Sequence, residues 1–367
     1  MLDPDRNRLT SLPEKEKRMA SLADLVEVVI GVDTHKHTHT AAVIAVGTGG
    51  QLDELTIDTD PNGYRALVSM AEGHGGLRAW AIEGTGSYGA GLVRHLRDLG
   101  EWVIELDRPS RVARRHGAKS DAIDAARAAR EALARDNLAE PRAPGERAAL
   151  AVLLVGRRSA VEGAAVANRQ LQALVTAAPE CLRAKFRGQT GVVMVATAAR
   201  LRSSKHWDLE TATTADMLRS LARRWQDLTT EAASHERQIR AIVADWRPEL
   251  LAECGVGPIV AAVVLCAWSH PGRVRNEAAF AMLAGTCPIP ASSGLTTRYR
   301  LNRSGDRQLN QALHVVMLCR LRYDPNTRAY AERRRAEGKT NREIQRCLKR
   351  YIARHLYRQL QADPPPA

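Results

Sequence analysis

The feature that most constrains the fold of this chain is a set of five short, β-branched apolar segments in its first third. They lie at residues 26–32, 41–46, 55–59, 78–84 and 102–106. Amphipathic helix patterns separate the later segments, with Asn62 as the expected cap of the first helix, and a further helix is indicated over residues 119–134. Strands that come first and then alternate with helices predict an α/β domain of about 120 residues.

Beyond Pro141 and Pro144 the pattern becomes purely helical. Apolar residues spaced by three and four predict one helix between Leu150 and Leu171, and a heptad pattern from Leu218 to Trp246 predicts a long, coiled-coil-like helix. These two helices could pair within one chain or between chains. Two polar residues on the apolar seam, Asn168 and His235, are expected to set the register of that pair.

A glycine turn follows Pro248, in the order helix, Gly-Val-Gly-Pro, helix. This is the spacing of a helix-hairpin-helix, whose backbone N–H groups can hold a DNA phosphate at a helix N-terminus. The alternative is an ordinary tight turn between two helices. The basic segment nearby favours the first interpretation, which makes Gly255 and Gly257 candidate nucleic-acid-binding residues.

Positive charge is concentrated near the C-terminal end of the chain. The formal net charge is +13, and residues 298–360 contain 17 Lys and Arg against five Asp and Glu. A surface of this kind suits a polyanion, because guanidinium groups match phosphate geometry and neutralised phosphates release counterions. A solubilising charged helix is the alternative. Membrane binding is disfavoured because the segment lacks a broad apolar face flanked by aromatic residues.

Other features of the sequence predict a cytoplasmic protein. No apolar run approaches the roughly 18–20 residues that span a bilayer, and the charged first ten residues do not resemble an export signal. The six cysteines form no CxxC pair, which argues against a zinc ribbon or a disulfide scaffold and fits a reducing cytosol. We therefore expect no membrane partner.

Four carboxylates occupy positions that are informative as a set. Asp33 directly follows the first strand, Glu83 ends another, and Asp121 and Asp124 lie one helical turn apart after the fifth strand. Taken singly, each fits a turn or a helix cap. Together they are the ingredients of an RNase H-like active site, in which carboxylate oxygens bind two Mg²⁺ or Mn²⁺ ions for phosphoryl transfer.

Three histidines alternate directly after Asp33, namely His35, His37 and His39. They could be metal ligands, but neither cysteines nor a further histidine cluster completes a zinc site. We therefore expect them to be strand or turn residues beside the acidic centre.

A pair of serines lies in a proline-bounded, glycine-closed loop further along the chain. Ser292 and Ser293 are followed by four arginines, at Arg298, Arg300, Arg303 and Arg307. Ser-Ser-Gly alone is a common turn. A hydroxyl beside cations that can neutralise a phosphate is nevertheless a plausible nucleophile for strand transfer, and the arginines are candidate nucleic-acid ligands.

Taken in order, these motifs resemble the bacterial DEDD transposases of the insertion sequence 110 type, also called bridge recombinases. The resemblance covers most of the chain and rests on GVDTHK, IEGTGSYG, AKSDAIDA, the Gly-Val-Gly-Pro hairpin, and PIPASSG through NRSGDRQLN. It implies that Asp33, Glu83, Asp121 and Asp124 bind Mg²⁺. The family serine stands directly before glycine, which implies Ser293 as nucleophile with Ser292 in reserve. His37 departs from the acidic residue that many relatives have after HK, outside the four carboxylates.

The sequence pattern and the resemblance together predict an architecture of five segments. These are a flexible N-terminal lead (1–24), a RuvC-like, RNase H-fold nuclease domain (25–143), a coiled-coil region (144–247), a serine-containing transposase domain with the helix-hairpin-helix (248–325) and a basic helical tail (326–367). The implied partners are the DNA of the element ends and target, a structured guide RNA encoded beside the gene, and further copies of the chain in a dimer or tetramer. A nucleoid-associated bacterial protein is expected.

The implied activity is RNA-guided DNA strand exchange through a transient phosphoserine. Because a phosphoserine retains the energy of the broken phosphodiester, rejoining needs no ATP, which agrees with the lack of a GxxxxGK[ST] loop in the sequence. One alternative is a RuvC-like, structure-selective endonuclease that acts by hydrolysis. The other is a nucleic-acid-binding protein without enzymatic activity.

Overall fold

The computed structural model describes residues 21–106, 120–136, 138–291 and 299–362. Contacts within the chain divide it into two units, residues 1–143 and residues 144–367. The finer division into five segments stays a prediction. Within the described residues, no helix is long and apolar enough to cross a membrane.

The first unit is built on a five-stranded mixed sheet. Its elements are α1 (Leu22–Leu25), β1 (Val28–Thr34), β2 (Thr38–Ala45), β3 (Gln51–Asp58), α2 (Pro61–Glu72), β4 (Arg78–Glu83), α3 (Ala90–Asp98), β5 (Trp102–Leu106) and α4 (Asp121–Leu133). The strand order is β3-β2-β1-β4-β5. The pairs β1–β2 and β2–β3 are antiparallel, whereas β1–β4 and β4–β5 are parallel. This mixed α/β sheet is consistent with the expected RNase H-like fold.

Two local expectations needed correction in this unit. Strands β2 and β3 begin three and four residues earlier than the apolar runs, because polar residues continue the ladder. For example, the hydroxyls of Thr40 and Thr56 face each other across the strands at 2.9 Å. The prediction that Asn62 caps α2 is wrong. Pro61 occupies the first helical position, so the cap is Asp60, whose Oδ1 accepts from the Gly63 amide at 2.7 Å.

Helix α4 lies unusually close to the sheet, and Gly31 permits this. A Cβ built on Gly31 would collide with the Ala125 carbonyl oxygen and stand 2.6 Å from the Ala129 amide nitrogen. The contact surface is built from small residues, with Ala81 of β4 facing the same alanine-rich side of α4. A second apolar cluster, with Trp80, Ile82 and Leu92 among its members, packs on the opposite face of the sheet.

The second unit is mostly helical. Its elements are α5 (Glu146–Ala177), α6 (Glu180–Arg183), α7 (Gly191–Ala199), α8 (Leu209–Trp246), α9 (Pro258–Trp268), α10 (Glu277–Leu283), β6 (Ile289–Pro290), β7 (Tyr299–Arg300), α11 (Arg307–Tyr323), α12 (Pro325–Ala336) and α13 (Asn341–Gln361), with 3₁₀ turns at Ala184–Phe186 and Pro248–Ala252. One core joins helices from the start, middle and end of this unit, with Leu154, Val243, Val264, Leu313 and Leu356 among its members.

The two long helices α5 and α8 pack against each other antiparallel within the chain. Arg157 pairs with Glu236 at 3.0 Å, and further along α5 the backbone of Gly163 meets the Leu228 side chain of α8. His235 lies against Gly156 on this seam. A coiled coil between chains stays a prediction.

The glycine turn differs from the predicted helix-hairpin-helix on its upstream side. The segment before it is the 3₁₀ turn at Pro248–Ala252, not an α-helix. Pro248 lacks an amide donor, and the backbone turns extended at Glu253, so the segment closes with hydrogen bonds between residues three apart, from the Leu250 amide to Arg247 and from the Glu253 amide to Leu250. Downstream, Gly257 caps α9 and Pro258 occupies its first position, as expected.

Candidate functional site

The first two predicted carboxylates lie at neighbouring strand ends. Strands β1 and β4 are parallel, and Val32 pairs with Ile82, so Asp33 and Glu83 are adjacent at the same edge of the sheet. Side chains alternate along a strand, and therefore Asp33 projects on the same face as Gly31, the face that α4 covers. The Thr34 hydroxyl donates to the Glu83 carbonyl oxygen at 3.0 Å and holds the two strand ends together.

The N-terminus of α4 brings the third carboxylate to this edge. Ser120 is the helix cap, its hydroxyl accepting from the Ile123 amide at 3.3 Å. Because Ala125 rests on Gly31, Asp121 lies one turn earlier along the helix, beside Asp33. Carboxylates in the first turn are also stabilised by the helix dipole.

These elements form a compact ligand set from Asp33, His35 and Asp121. One ligand atom from each lies within 4.8 Å of the others. His35 Nε2 is 3.3 Å from Asp33 Oδ2 and 3.8 Å from Asp121 Oδ1. The Asp33 side chain is 18% exposed and that of Asp121 is 50% exposed, so the site opens to solvent from the helix side.

The other two predicted carboxylates do not belong to this set of three. Asp124 Oδ1 accepts from Arg127 Nη1 at 2.6 Å, which directs its carboxylate along the helix surface. Glu83 is half-buried at the end of β4. Asp33 and Asp121 therefore lie together, with Glu83 on the neighbouring strand β4 and Asp124 on the same helix as Asp121; the metal-binding role of all four carboxylates stays a prediction.

The donor set fits a divalent ion. Two carboxylates offer hard oxygen ligands that suit Mg²⁺ or Mn²⁺, and an imidazole nitrogen adds a ligand that Mn²⁺ accepts more readily than Mg²⁺. The fit rests on the side chains of Asp33, His35 and Asp121, which come from two different elements and converge on one point.

Sequence reasoning did not anticipate the position of His35. It lies just beyond β1, where its side chain contacts both carboxylates, whereas it was expected only to neighbour the acidic centre. The signal was present in the spacing, because residues two apart on an extended chain project on one face. His39 is different. It is buried in β2 and stacked on Tyr64, and this burial lowers the pKa of its imidazole.

The structure describes only the residues that flank the predicted serine site. Ser292, Ser293 and Arg298 lie outside the described residues. Strands β6 and β7 on either side pair antiparallel, with Ile289 opposite Arg300.

The remaining candidate arginines are accessible. Arg300 and Arg303 are exposed, and Arg307 is exposed at the first position of α11. Their contact with nucleic acid stays a prediction, as does that of Gly255 and Gly257.

Family models match two successive parts of the chain. The DEDD transposase model of the IS110 type matches residues 30–178, which contain the whole acidic site. The model described as the transposase IS116/IS110/IS902 family matches residues 249–332, which contain the serines and the candidate arginines. Together the two segments span more than half of the chain, in the order expected from the motifs.

Individual relatives come from insertion elements. The chain is 26% identical to the insertion element IS900 uncharacterized 42 kDa protein of Mycobacterium paratuberculosis, over 87% of this chain and 92% of the relative. It is 34% identical to the insertion element IS110 uncharacterized 43.6 kDa protein of Streptomyces coelicolor, over 29% of this chain and 27% of the relative.

Proposed function

This chain belongs to the IS110 family of DEDD transposases, and from that premise we propose that it is an RNA-guided DNA recombinase that mobilises its own insertion element. The observation that carries the proposal is the convergence of Asp33, His35 and Asp121 within 4.8 Å at the edge of a mixed sheet. A transposase acts on DNA phosphodiesters, and this is the place in the described chain where hard ligands for the required divalent ion meet.

The acidic site prepares the scissile phosphate for attack. Asp33 and Asp121 hold divalent metal, Mg²⁺ or Mn²⁺, with His35 as a third donor and with Glu83 and Asp124 as further carboxylate ligands. When bound, the metal supplies charge stabilisation to the phosphoryl oxygens. Strand ends β1 and β4 and the first turn of α4 are rigid supports, so the carboxylates are fixed before substrate arrives.

The Ser293 hydroxyl is the proposed nucleophile, with Ser292 in reserve. Its oxygen forms a bond to phosphorus while the bond from phosphorus to one deoxyribose oxygen breaks. The serine proton is lost to a base, and the departing deoxyribose oxygen gains a proton. A second DNA hydroxyl then attacks the phosphoserine, restores a phosphodiester and returns the serine, so the number of phosphodiester bonds is conserved.

Target choice is assigned to a structured RNA encoded beside the gene. The support is the resemblance to bridge recombinases, together with a basic C-terminal region suited to backbone phosphates rather than to individual bases. Arg298, Arg300, Arg303 and Arg307, with the backbone of Gly255 and Gly257, are the proposed nucleic-acid contacts. The active assembly is a homo-oligomer, a dimer or tetramer, associated with the nucleoid.

A hydrolytic, structure-selective nuclease is the second candidate. The acidic site itself favours this candidate, because a divalent ion held by carboxylates is sufficient to activate a water molecule. The two candidates differ in the nucleophile: serine leaves a covalent protein–DNA intermediate and water leaves none.

The deciding experiment uses protein co-expressed with its native flanking DNA, mixed with a DNA fragment that spans the element junction and with Mg²⁺. A denaturation-resistant adduct that maps to residue 293 is expected. It should be absent in Ser293→Ala and reduced at least about 100-fold in Asp33→Asn. Asp98→Asn, at an exposed position at the end of α3, is the matched control and should keep the adduct. Cleaved DNA without an adduct would establish the hydrolytic nuclease instead.

A further inference from the structure

A basic cleft of about 1020 Å³ lies in the second unit between β7 and the helices α12 and α13. Its described walls are the turn at residues 285–288, the segment at residues 299–302 that includes β7, and one face of α13. Its volume lies at the upper limit of pockets that hold a single small molecule, about 1,000 Å³. It is therefore large enough for several linked groups of a polymer.

The cleft has a large excess of positive charge. Among the described residues, seven Lys and Arg side chains line it, against the single carboxylate of Glu343. That carboxylate is already engaged, since it accepts from the backbone amide and hydroxyl of Thr340 at 2.9 and 2.7 Å in a helix cap. In the described part of the chain, Arg300, Lys339 and Arg346 form no ion pair with a carboxylate. These three cations are consequently available to an external anion.

Lys349 is the most informative of these side chains. It is half-buried on the cleft wall, and its ammonium donates to Asn310 Oδ1, a neutral acceptor, at 2.9 Å. Burial lowers the pKa of Lys349. A phosphate beside it would supply the counter-charge that the described residues do not provide.

Two tyrosines complete the cleft. Tyr299 and Tyr351 line it and are 57% and 51% exposed, although aromatic residues make up only 4% of this chain. Tyr351 packs against Tyr330 in a T-shaped arrangement, with ring centroids 5.6 Å apart and an interplanar angle of 86°. Accessible aromatic rings among cations are the combination that binds unpaired nucleotides, because every base has a face that can stack.

We infer that this cleft binds a short single-stranded segment of DNA, with its phosphates on Lys349, Arg346, Lys339 and Arg300 and with bases stacked on Tyr351 and Tyr299. The choice of DNA rests on the proposed function, because strand exchange releases unpaired DNA that must be held. The described residues that line the cleft all belong to the second unit, whereas Asp33, His35 and Asp121 belong to the first.

The test measures binding without chemistry. Full-length protein in a chelating buffer is titrated into a short, unstructured, fluorescein-labelled DNA oligonucleotide, and anisotropy gives Kd. Tyr351→Leu should weaken binding about tenfold, and Lys349→Ala should do the same, with Lys349→Arg restoring most of it. Tyr323→Leu is the matched control, since Tyr323 is 62% exposed in the same unit but does not line the cleft.

Two further readouts separate stacking from charge. Fluorescence of 2-aminopurine in the oligonucleotide should be quenched on binding, and Tyr351→Leu should abolish the quenching whereas Arg346→Ala should not. Arg346→Ala should instead reduce the slope of log Kd against log salt by about 0.7, the value for one phosphate contact on a single strand. Thermal unfolding of each variant identifies any that fail to fold.

Several outcomes would overturn the inference. Equal losses in Tyr351→Leu and Tyr323→Leu would show that the cleft is not the binding surface. Tighter binding to RNA of the same sequence, or to duplex DNA, would contradict the assignment to single-stranded DNA. Because no metal is present, failure here leaves the phosphoserine proposal intact. Normal cleft binding by a protein that never forms an adduct would count against the proposed function alone.

Discussion

The carboxylate of Glu101 accepts from three donors inside the first unit. Arg78 Nε and Nη2 donate at 3.0 and 2.5 Å, and Trp80 Nε1 donates at 2.8 Å. Both charged side chains are only 3% exposed. A buried pair of this kind contributes little relative to an apolar pair, but removing one partner leaves the other charge buried and uncompensated.

Glu101→Gln should therefore destabilise the first unit by about 3 kcal/mol. The Glu72 carboxylate, at 4.0 Å from the Arg78 guanidinium, would balance only part of the charge left buried on Arg78. Urea unfolding followed by tryptophan fluorescence measures the change, since Trp80 is at the site. Glu180→Gln, which removes an exposed partner of Arg183, is the control. A similar shift of the midpoint in both variants would show that burial is not the cause.

A second prediction for a single residue concerns His35 and the preference of the acidic site for Mn²⁺ over Mg²⁺. Its imidazole nitrogen should contribute more to binding Mn²⁺ than to binding Mg²⁺. His35→Ala should then lower Mn²⁺-supported DNA cleavage about tenfold more than Mg²⁺-supported cleavage. The control is His74→Ala, which breaks a 2.8 Å contact to Asp53 elsewhere in the unit. Equal losses with both metals would remove His35 from the ligand set.

At the scale of secondary-structure elements, the contact between β1 and α4 leaves no room for a side chain at position 31. Gly31→Ala would place a methyl group against the backbone at Ala125 and Ala129, which cannot yield as a side chain could. We expect a loss of about 3 kcal/mol or more in stability, and a matching loss of DNA cleavage because Asp33 and Asp121 would separate. Gly47→Ala, with open space around it, should behave as wild type. Normal activity in Gly31→Ala would mean that the site tolerates movement of α4.

Glu253 connects three elements of the second unit. It ends the 3₁₀ turn and accepts from Arg320 of α11 at 2.7 Å and from Gln359 of α13 at 2.5 Å, with His355 Nε2 at 3.0 Å. Burial alone would raise the pKa of Glu253, but hydrogen bonds from His355 and Gln359 and the charge of Arg320 outweigh it, so the pKa lies below its usual value of 4.5.

A lowered carboxyl pKa makes stability depend on pH in one direction. The contribution of Glu253 is complete above about pH 4.5 and is lost as pH falls through the lower, folded-state pKa. Glu253→Gln should melt about 3 °C lower than wild type at neutral pH, and the difference should shrink in acid below pH 4.5. Thermal scans across pH measure it. The variant Glu332→Gln, at an exposed position, serves as the reference. A difference in melting temperature between wild type and Glu253→Gln that stays constant in acid would contradict a contribution from the ionised Glu253 carboxylate.

The strands and long helices were predictable because their signals are local. The strand at residues 102–106 could be predicted from its β-branched and apolar residues alone, and β5 has the predicted bounds. The early starts of β2 and β3 were not visible, because polar residues join a ladder only when a partner strand is present. The 3₁₀ turn that begins at Pro248 was missed for a related reason, since the segment that follows it packs closely on α11 at Gly255, a contact that is not visible in the local sequence.

On the scale of the whole molecule, the sequence showed where charge accumulates but not which charges are free. In α13, for instance, Arg350 and Arg354 both pair with Glu277, at 3.2 and 2.6 Å. Lys339 and Arg346 also line the cleft, and among the described residues neither has such a carboxylate partner. The number of Lys and Arg residues in the sequence is therefore larger than the number available to bind phosphate, because the fold pairs some of them with carboxylates.

A salt titration tests whether local rather than net charge governs DNA binding. Replacing Arg303 and Arg307 together with Gln should reduce the slope of log Kd against log salt on duplex DNA by about 1.8, because each lost phosphate contact accounts for about 0.9. Replacing the exposed pair Arg223 and Arg224 of α8 changes the net charge equally and should leave the slope unchanged. Identical slopes in the two double variants would indicate a diffuse effect of net charge.

Helix α13 has a role on each of its two faces. One face contributes Ile344, Leu348, Ile352 and Leu356 to the core of the second unit, and the other lines the basic cleft. A premature stop codon near position 341 would therefore be as harmful to the gene product as a deletion in its middle. In surveys of decayed element copies, frameshifts close to the 3′ end of the reading frame should be counted as inactivating, even when the codons for Asp33, Asp121 and Ser293 are intact.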